Sequence, residues 1–122
     1  MEFREESAVL FAFETTLLSE EFAAWLTQYC NEDQIPPIME YLKLRGVTDF
    51  VILRDIEVAI PDQGKGLGKI LLKRFLDQSS KPIVLVADSF GSNLMNLESW
   101  YTRNKFETFG KTVAGPIMLY ML

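Results

Sequence analysis

The sequence contains no histidine and only one cysteine, Cys30. The absence of histidine excludes Ser-His-Asp triads, histidine general bases and HExxH zinc sites. One cysteine cannot form an intrachain disulfide, and a catalytic thiol would need a basic partner, so we expect Cys30 to be a small apolar core residue. We therefore expect a protein that uses no metal.

Long apolar runs are also missing. The two longest, residues 8–13 and 117–122, have the length of strands and fall far short of the roughly 20 residues of a membrane-spanning helix. The first six residues are acidic where a signal peptide would be basic. A chain of 122 residues that is 48% apolar can bury one core. We expect a single domain over residues 1–122, located in the cytoplasm and not in a membrane.

Basic residues are scarce in the first half of the chain. Residues 1–62 carry 13 acids and 4 bases, whereas residues 63–122 carry 8 bases and 4 acids, and the whole chain has a net charge of -5. A globally acidic protein is not expected to bind nucleic acid non-specifically. This division of charge between the two halves suits a protein that binds a polyanion on one side and a cation on the other. The alternative is an uneven surface charge without function.

The first half of the chain predicts strands and helices in turn. Residues 7–15 are rich in β-branched and aromatic residues, which predicts a strand. Ser19 is a suitable N-cap for a first helix, and Pro36-Pro37 fits the first turn of a second one. Gly46 is placed to end that second helix. Residues 48–60 then predict a long strand, and no clear second hairpin is visible before the glycine-rich loop.

The second half predicts a parallel crossover followed by a hairpin. A glycine-rich loop leads into a helix with an apolar stripe, and residues 83–87 predict a strand buried on both faces. A fourth helix is expected to follow residues 91–93 and to end near Asn104. Residues 106–113 and 117–122 flank a turn and predict a hairpin. Strand, loop, helix and strand in this order indicate a parallel pair inside a mixed sheet.

The glycine-rich loop, residues 63–68, is the clearest functional signal. Gly64, Gly66 and Gly68 allow a tight turn and let a ligand approach the backbone without meeting a Cβ. The free N–H groups of the following helical turn attract anions, and Lys65 and Lys69 add positive charge at the rim. The loop therefore predicts a site for phosphate or pyrophosphate.

Two common glycine loops do not fit. Both the P-loop pattern and the dinucleotide pattern G-x-G-x-x-G require a glycine where this chain has Lys69. The pattern Q-x-x-G-x-G does fit, as Gln63, Gly66 and Gly68. It resembles the pyrophosphate-binding motif of the GNAT superfamily of N-acetyltransferases, and residues 56–60 resemble the strand that precedes the motif in that family.

The resemblance extends over roughly the C-terminal half of the chain. Asn93 and residues 100–106 resemble the family's N…Y-x-x-x-G-F helix, and residues 115–121 resemble its last strand. Lys105 replaces the usual glycine, so we expect Asn104 to take the left-handed conformation that ends the helix. The part before the loop is short for the family. The acceptor pocket is therefore expected to be open or to be completed by a second subunit in a homodimer.

The resemblance implies a fold and a cofactor. The fold is a three-layer αβα arrangement in the α/β (α+β mixed) class, with a mixed, mostly antiparallel sheet and a splayed parallel strand pair at the cofactor site. The cofactor is acetyl-CoA (coenzyme A) as co-substrate, with its pantetheine along Val58 and Ile60 and its pyrophosphate on the loop. The cofactor-binding residues that the resemblance implies are Val58, Ile60, Gln63, Gly64, Lys65, Gly66, Leu67, Gly68, Lys69 and Asn93.

The activity implied is transfer of an acetyl or other acyl group to a primary amine by direct attack in a ternary complex. In the family a tyrosine of the fourth helix, here Tyr101, protonates the leaving thiolate. Glu57 and Asp55 are the candidate general bases, with a relay of waters as the alternative. The charge division favours a cationic acceptor, either a small molecule or a protein amine. The alternative function is a non-catalytic acyl-CoA-binding regulatory module on the same fold.

Overall fold

A computed structural model of the chain describes residues 1–88 and 96–122. In this part of the chain the strands are Glu2–Glu5 (β1), Ala8–Thr16 (β2), Asp49–Val58 (β3), Ile83–Val86 (β4), Glu107–Lys111 (β5) and Pro116–Tyr120 (β6). The helices are Glu20–Tyr29 (α1), Ile35–Leu44 (α2), Leu67–Gln78 (α3) and Leu97–Arg103 (α4). Short 3₁₀ turns lie at Glu32–Gln34 and Ile60–Asp62.

The six strands form one sheet in the order β1-β2-β3-β4-β6-β5. Only β3 and β4 are parallel, and the crossover between them runs through α3. The other neighbouring strands pair antiparallel. The mixed, mostly antiparallel sheet that the sequence predicted is therefore confirmed.

Helices cover both faces of the sheet and give two apolar cores. On one face α1 and α2 contribute Phe22, Leu26 and Ile38, which are buried together with Phe50 and Ile52 of β3. On the other face α3 and α4 pack against the alternate side of the strands. The buried residues there include Val51, Leu53, Leu71, Phe75, Tyr101 and Phe106. The result is the expected three-layer αβα fold.

The first helix begins as predicted, because the Ser19 hydroxyl accepts a hydrogen bond from the Phe22 N–H at 3.1 Å. Gly46 follows α2 with a φ of 71°, a left-handed conformation that suits glycine at a helix end. Among the described residues, no helix is long and apolar enough to span a membrane. Cys30 is half-buried at the end of α1, where burial raises the pKa of its thiol.

The N-terminal hairpin was not predicted. β1 pairs antiparallel with β2, from Glu2 opposite Phe11 to Glu5 opposite Ala8. Three of the four β1 residues are charged and only Phe3 is apolar, so the segment has no hydrophobic run to identify it as a strand. Charged residues are common on edge strands, where they discourage pairing with other chains. The part of the chain before the loop therefore contains a hairpin that the sequence did not reveal.

Two predicted boundaries also need correction. β3 ends at Val58 rather than at residue 60, because Ile60 begins the 3₁₀ turn that contains Pro61. At the end of α4 the left-handed residue is Lys105, with a φ of 73°, and not Asn104, with a φ of -100°. The Lys105 N–H donates to the Thr102 carbonyl, and the Phe106 N–H donates to the Tyr101 carbonyl. These two bonds form a Schellman motif, which places the left-handed residue one position after the C-cap.

Candidate functional site

The parallel strands β3 and β4 separate soon after they meet. Their register comprises Val51 opposite Ile83 and Ile52 opposite Val84. Beyond this point β3 continues along β2 to Val58, and β4 continues along β6 to Val86. A gap therefore opens between them, and the splayed parallel pair that the resemblance implied is present.

A bulge in β3 lies at the start of this gap. Ala12 of β2 faces Leu53 and Phe11 faces Asp55, so Arg54 is an extra residue with no partner in the register. The insertion changes which residues face each helical layer. Leu53 belongs to the core under α3, and Ile56 packs against that same core three residues later. Alternation then directs Asp55 and Glu57 toward the α1 and α2 side of the sheet.

The glycine loop forms an open cradle at the start of α3. Gly64 and Gly66 have φ values of 86° and 81°, and a Cβ at either position would meet nothing within 4 Å. Gly66 is the N-cap of α3, and no side chain in the described part of the chain caps the helix there. The first intrahelical bond runs from the Ile70 N–H to the Gly66 carbonyl. The N–H groups of the first turn, from Leu67 to Lys69, are therefore available to an anion.

A short network of side chains supports the cradle. Asp62 accepts hydrogen bonds from Lys65 at 2.8 Å and from Ser7, in the β1–β2 turn, at 2.7 Å. The bond from Lys65 and then the bond from Ser7 lower the pKa of Asp62 below its ordinary value. The Gln63 amide donates to the Val58 carbonyl at 3.1 Å. The loop is thus held to the end of β3 and to the N-terminal hairpin.

One cavity of about 770 Å³ joins the cradle to the gap. It reaches both helical layers, because α1 lines it on one face of the sheet while α3 and α4 line it on the other. Its size lies in the usual range for small-molecule and cofactor sites, about 300–1,000 Å³. The described lining residues are Trp25, Tyr29, Leu53, Arg54, Asp55, Ile56, Val58, Asp62, Gln63, Gly64, Gly66, Leu67, Gly68, Lys69, Val86, Asp88, Leu97, Trp100 and Tyr101.

Most of the residues that the sequence singled out meet in this cavity. Glu57, Ile60 and Lys65 are not part of the described lining, and the Ile60 side chain is 83% exposed. The cofactor contact expected of Ile60 stays a prediction. Asn93 lies outside the described residues. The predicted residues that do line the cavity are Asp55, Val58, Gln63, Gly64, Gly66, Leu67, Gly68, Lys69 and Tyr101.

Asp55 and Glu57 are alternate residues on one face of β3. Burial, followed by the hydrogen bond and the negative charge of Glu57, raises the pKa of Asp55 from 3.8 to about 6. The Ile56 main chain and the positive charge of Arg54 oppose this shift. A carboxylate with a pKa of this size can accept and release a proton near neutral pH.

Tyr101 lies on α4, on the opposite face of the sheet from Asp55. Its side chain is buried, and it packs edge-on against Trp100 and Phe106. Burial, and then the negative charge of Asp55, raises the pKa of Tyr101 well above the ordinary value for tyrosine. The hydroxyl therefore stays protonated at neutral pH and is able to donate a hydrogen bond.

Sequence reasoning missed part of the cavity wall. Trp25, Tyr29 and Trp100 lie on helices and were not among the predicted site residues, yet all three line the cavity. The Tyr29 carbonyl accepts a hydrogen bond of 2.8 Å from the Val113 N–H, which joins the end of α1 to the β5–β6 turn. Arg54 and Asp88 were not singled out either. Arg54 interrupts the apolar run of β3 and Asp88 follows β4, and these charges become informative only once the gap is known.

The architecture and the cavity define an αβα domain with a GNAT-like fold. Comparison with protein-family models and with curated proteins finds no match for this sequence. Among solved structures, the chain resembles the crystal structure of Arabidopsis thaliana NAA60 in complex with acetyl-CoA, with a TM-score of 0.55 and 14% identity. The alignment covers 95% of this chain and 65% of that one. At this identity the likeness shows the fold alone.

No group of three or more acidic, cysteine or histidine side chains that could hold a metal ion occurs in residues 1–88 and 96–122. The described part of the site thus offers hydrogen-bonding, carboxylate and aromatic groups around an anion cradle. Such a set can bind a phosphorylated ligand and move a proton beside it.

Proposed function

We propose that this chain is an acetyl-CoA-dependent N-acyltransferase that transfers an acyl group to a primary amine. The observation that carries the proposal is the single cavity that joins an uncapped helix N-terminus to the gap between β3 and β4. The likeness to NAA60, whose structure contains acetyl-CoA, supports the choice of cofactor. The proposed reaction is direct attack of the amine on the thioester in a ternary complex.

The proposed binding site of the cofactor pyrophosphate is the first turn of α3. The N–H groups of Leu67, Gly68 and Lys69 lack intrahelical acceptors, and the positive end of the helix dipole lies behind them. Lys69 is in the cavity wall, whereas Lys65 is bonded to Asp62 and lies outside the lining. We therefore assign the larger electrostatic contribution to Lys69.

The pantetheine arm is proposed to run along the free edge of β3. The Val51 N–H donates to the Pro82 carbonyl at 2.9 Å, so the main-chain groups of Val51 point toward β4. Main-chain groups point alternately to the two sides of a strand, and the bulge at Arg54 shifts this alternation by one residue. The main-chain groups of Ile56 and Val58 therefore also point into the gap. The Val58 carbonyl already accepts a bond from Gln63, which leaves the Val58 N–H to meet the thioester carbonyl.

The amine is proposed to approach from the α1 side of the gap, where Asp55 lies. Asp55 takes the proton from the ammonium, and burial, followed by the hydrogen bond and charge of Glu57, raises the pKa of Asp55 to about 6. The neutral amine nitrogen then bonds to the thioester carbon and the carbon–sulfur bond breaks. The CoA thiolate accepts a proton, and the second proton that the nitrogen loses restores the group that donated it. Tyr101, on the other face, is the proposed donor to the sulfur. The carboxylate at the entrance favours an acceptor that binds as a cation.

A thiol-release assay tests the proposal. The protein is supplied with acetyl-CoA and longer acyl-CoAs, and with a panel of cationic, neutral and acidic amines, while calorimetry compares the binding of acetyl-CoA, ATP and NAD. We expect CoA binding and amine-dependent thiol release. Acetyl-CoA binding without thiol release for any amine would favour the non-catalytic acyl-CoA-binding module instead. Binding of ATP or NAD but of no CoA species would overturn both.

Two further expectations from the sequence remain proposals. They are a cytoplasmic location and a homodimer in which the second subunit helps to enclose the acceptor. Size-exclusion chromatography with light scattering, at several protein concentrations, tests the second of these. A monomer at all concentrations would contradict it.

A further inference from the structure

Arg54 lies in the cavity wall at the bulge of β3. It is the inserted residue of the β3 bulge, between Leu53 and Asp55, at the point where the parallel ladder with β4 has ended. Its side chain is exposed, and it lines the cavity next to the proposed base. Within the described lining, only Arg54 and Lys69 carry a positive charge, and Lys69 belongs to the pyrophosphate cradle.

The charge of Arg54 has no partner within the described part of the protein. Arg4, Arg45 and Arg74 each lie within 4 Å of a carboxylate oxygen, from Glu2, Glu107 and Glu5 respectively. No ion pair or hydrogen bond joins the Arg54 guanidinium to a described residue. Even Asp55, its neighbour, interacts with it only at longer range. A guanidinium in a binding cavity is thus left available to a ligand.

A guanidinium beside a carboxylate suits a ligand that carries both charges. Arginine binds carboxylates with two parallel hydrogen bonds in a fixed planar geometry. Asp55 offers the opposite charge to an ammonium group. A polyamine or an aminoglycoside would satisfy Asp55 but would place a further positive charge near Arg54.

We propose that the acyl acceptor is a free amino acid, whose carboxylate is bound by Arg54 while its amino group faces Asp55. This inference rests on the proposed acyltransferase function and narrows its acceptor class. Trp25 and Tyr29, on the α1 side, line the same cavity and give the acceptor side chain an aromatic surface.

The test compares acceptors with and without a carboxylate. Thiol release from acetyl-CoA is measured with the twenty common amino acids, with the corresponding amino-acid amides, and with spermidine and cadaverine. Wild-type protein is expected to use the best amino acid at least ~10-fold more efficiently, in kcat/KM, than its amide, since a hydrogen bond to a charged group is lost. Spermidine and cadaverine are expected to be poorer acceptors still.

Variants assign the preference to Arg54. Arg54→Gln should remove the difference between acid and amide by raising KM for the acid, and Arg54→Lys should restore part of it. Arg103→Gln is the matched control, because Arg103 is an exposed arginine outside the described lining that also has no described ion pair. It should leave the preference unchanged. The affinity for acetyl-CoA, measured by calorimetry, should be equal in all four proteins.

The outcomes separate this inference from the function on which it rests. Thiol release that is equal for acids and amides, or unchanged by Arg54→Gln, overturns the amino-acid proposal and leaves the acyltransferase intact. If no acceptor supports thiol release, calorimetry of the same amino acids and amides with the CoA-saturated protein decides. Preferential binding of acids that Arg54→Gln abolishes supports the inference, and equal binding overturns it. Failure to bind CoA overturns both proposals.

Discussion

Ionisation of Asp55 is unfavourable in the folded chain because of burial, and then because of the hydrogen bond and the negative charge of Glu57. The raised pKa of Asp55 makes the free energy of unfolding depend on pH. Below pH 3.8 Asp55 is protonated in both the folded and the unfolded chain, so it contributes no difference in free energy. As the pH rises toward 6, the unfolded chain loses this proton while the folded chain keeps it. The free energy of unfolding therefore falls over this interval, and the full penalty is present above pH 6.

Replacement of Asp55 by asparagine should remove this penalty. We expect Asp55→Asn to raise the free energy of unfolding at pH 8 by about 1 kcal/mol, a value reduced for the partial exposure of the group, and to change it little below pH 4. Urea unfolding at the two pH values provides the measurement. Asp33→Asn, at an exposed carboxylate outside the cavity, controls for the loss of one negative charge. Equal effects of Asp55→Asn at pH 8 and pH 4 would contradict the prediction.

Tyr101 offers a second test at the residue scale. Removal of its hydroxyl in Tyr101→Phe keeps the ring that packs on Phe106, so the fold and acetyl-CoA affinity should be unchanged. Turnover should fall by about 10²-fold, the lower end of general acid catalysis. Tyr120→Phe is the matched control, because Tyr120 also packs on Phe106 but does not line the cavity. A Tyr101→Phe protein with wild-type turnover would remove this hydroxyl from the mechanism.

At the scale of elements, the end of α4 is held in an unfavourable conformation. Lys105 adopts a left-handed conformation that costs a non-glycine residue about 1–2 kcal/mol. The Schellman bonds from the N–H groups of Lys105 and Phe106 hold it there. The strain is stored directly beside the helix that carries Tyr101.

Glycine at this position should relieve the strain. We expect Lys105→Gly to raise the free energy of unfolding by about 0.5–1 kcal/mol, because the gain in the folded state exceeds the added entropy of the unfolded chain. Thermal unfolding gives the measurement. The control is Lys111→Gly in β5, where no left-handed conformation is required and glycine should destabilise. A lower melting temperature for Lys105→Gly would show that the conformation is not strained.

The elements differ in how far the sequence could predict them. The glycine loop, α3 and the β5–β6 hairpin have strong local signals, namely glycines with a following apolar stripe and a turn between two apolar runs. β1 could not be predicted, because an edge strand in which three of four residues are charged has almost no hydrophobic signal. The bulge at Arg54 was also invisible, since it depends on the register between two strands 40 residues apart in the chain.

The presence or absence of a local sequence signal also determined which site residues could be predicted. The cradle is contiguous in sequence, so its residues were found together. The acceptor side is assembled from α1, the β3 bulge and the end of β4, whose relation appears only when the sheet is formed. Trp25 and Tyr29 have the helical spacing of core residues, and nothing local distinguishes a core position from one that also lines a cavity.

At the scale of the whole molecule, the basic second half of the chain contributes the cradle and α3. A ligand that binds the folded protein and not the unfolded chain stabilises the fold, by about 2.7 kcal/mol at a concentration of 100 times its Kd. Acetyl-CoA at that concentration should therefore raise the melting temperature by several degrees. Because the ligand is anionic, we expect the shift to shrink as the salt concentration rises.

Two variants test which residue contributes to the rise in melting temperature caused by acetyl-CoA. Lys69→Ala should reduce the shift at a fixed acetyl-CoA concentration, whereas Lys111→Ala, which removes a charge in β5 outside the described cavity lining, should not. Differential scanning fluorimetry at two salt concentrations gives both results. Equal shifts for the two variants would mean that the charge of Lys69 does not contribute to binding.

The β5–β6 turn has a mechanical consequence for the acceptor. Gly115 lies so close to the end of β4 that a Cβ would come within 2.4 Å of the Ala87 carbonyl oxygen, and the Thr112 hydroxyl donates to the Gly115 carbonyl. The bond from Val113 to Tyr29 then attaches α1 to this turn. An acceptor that displaced the main chain at Tyr29 would have to displace the end of α1 and the β5–β6 turn together. The main chain on this side of the acceptor entrance should therefore be fixed before binding.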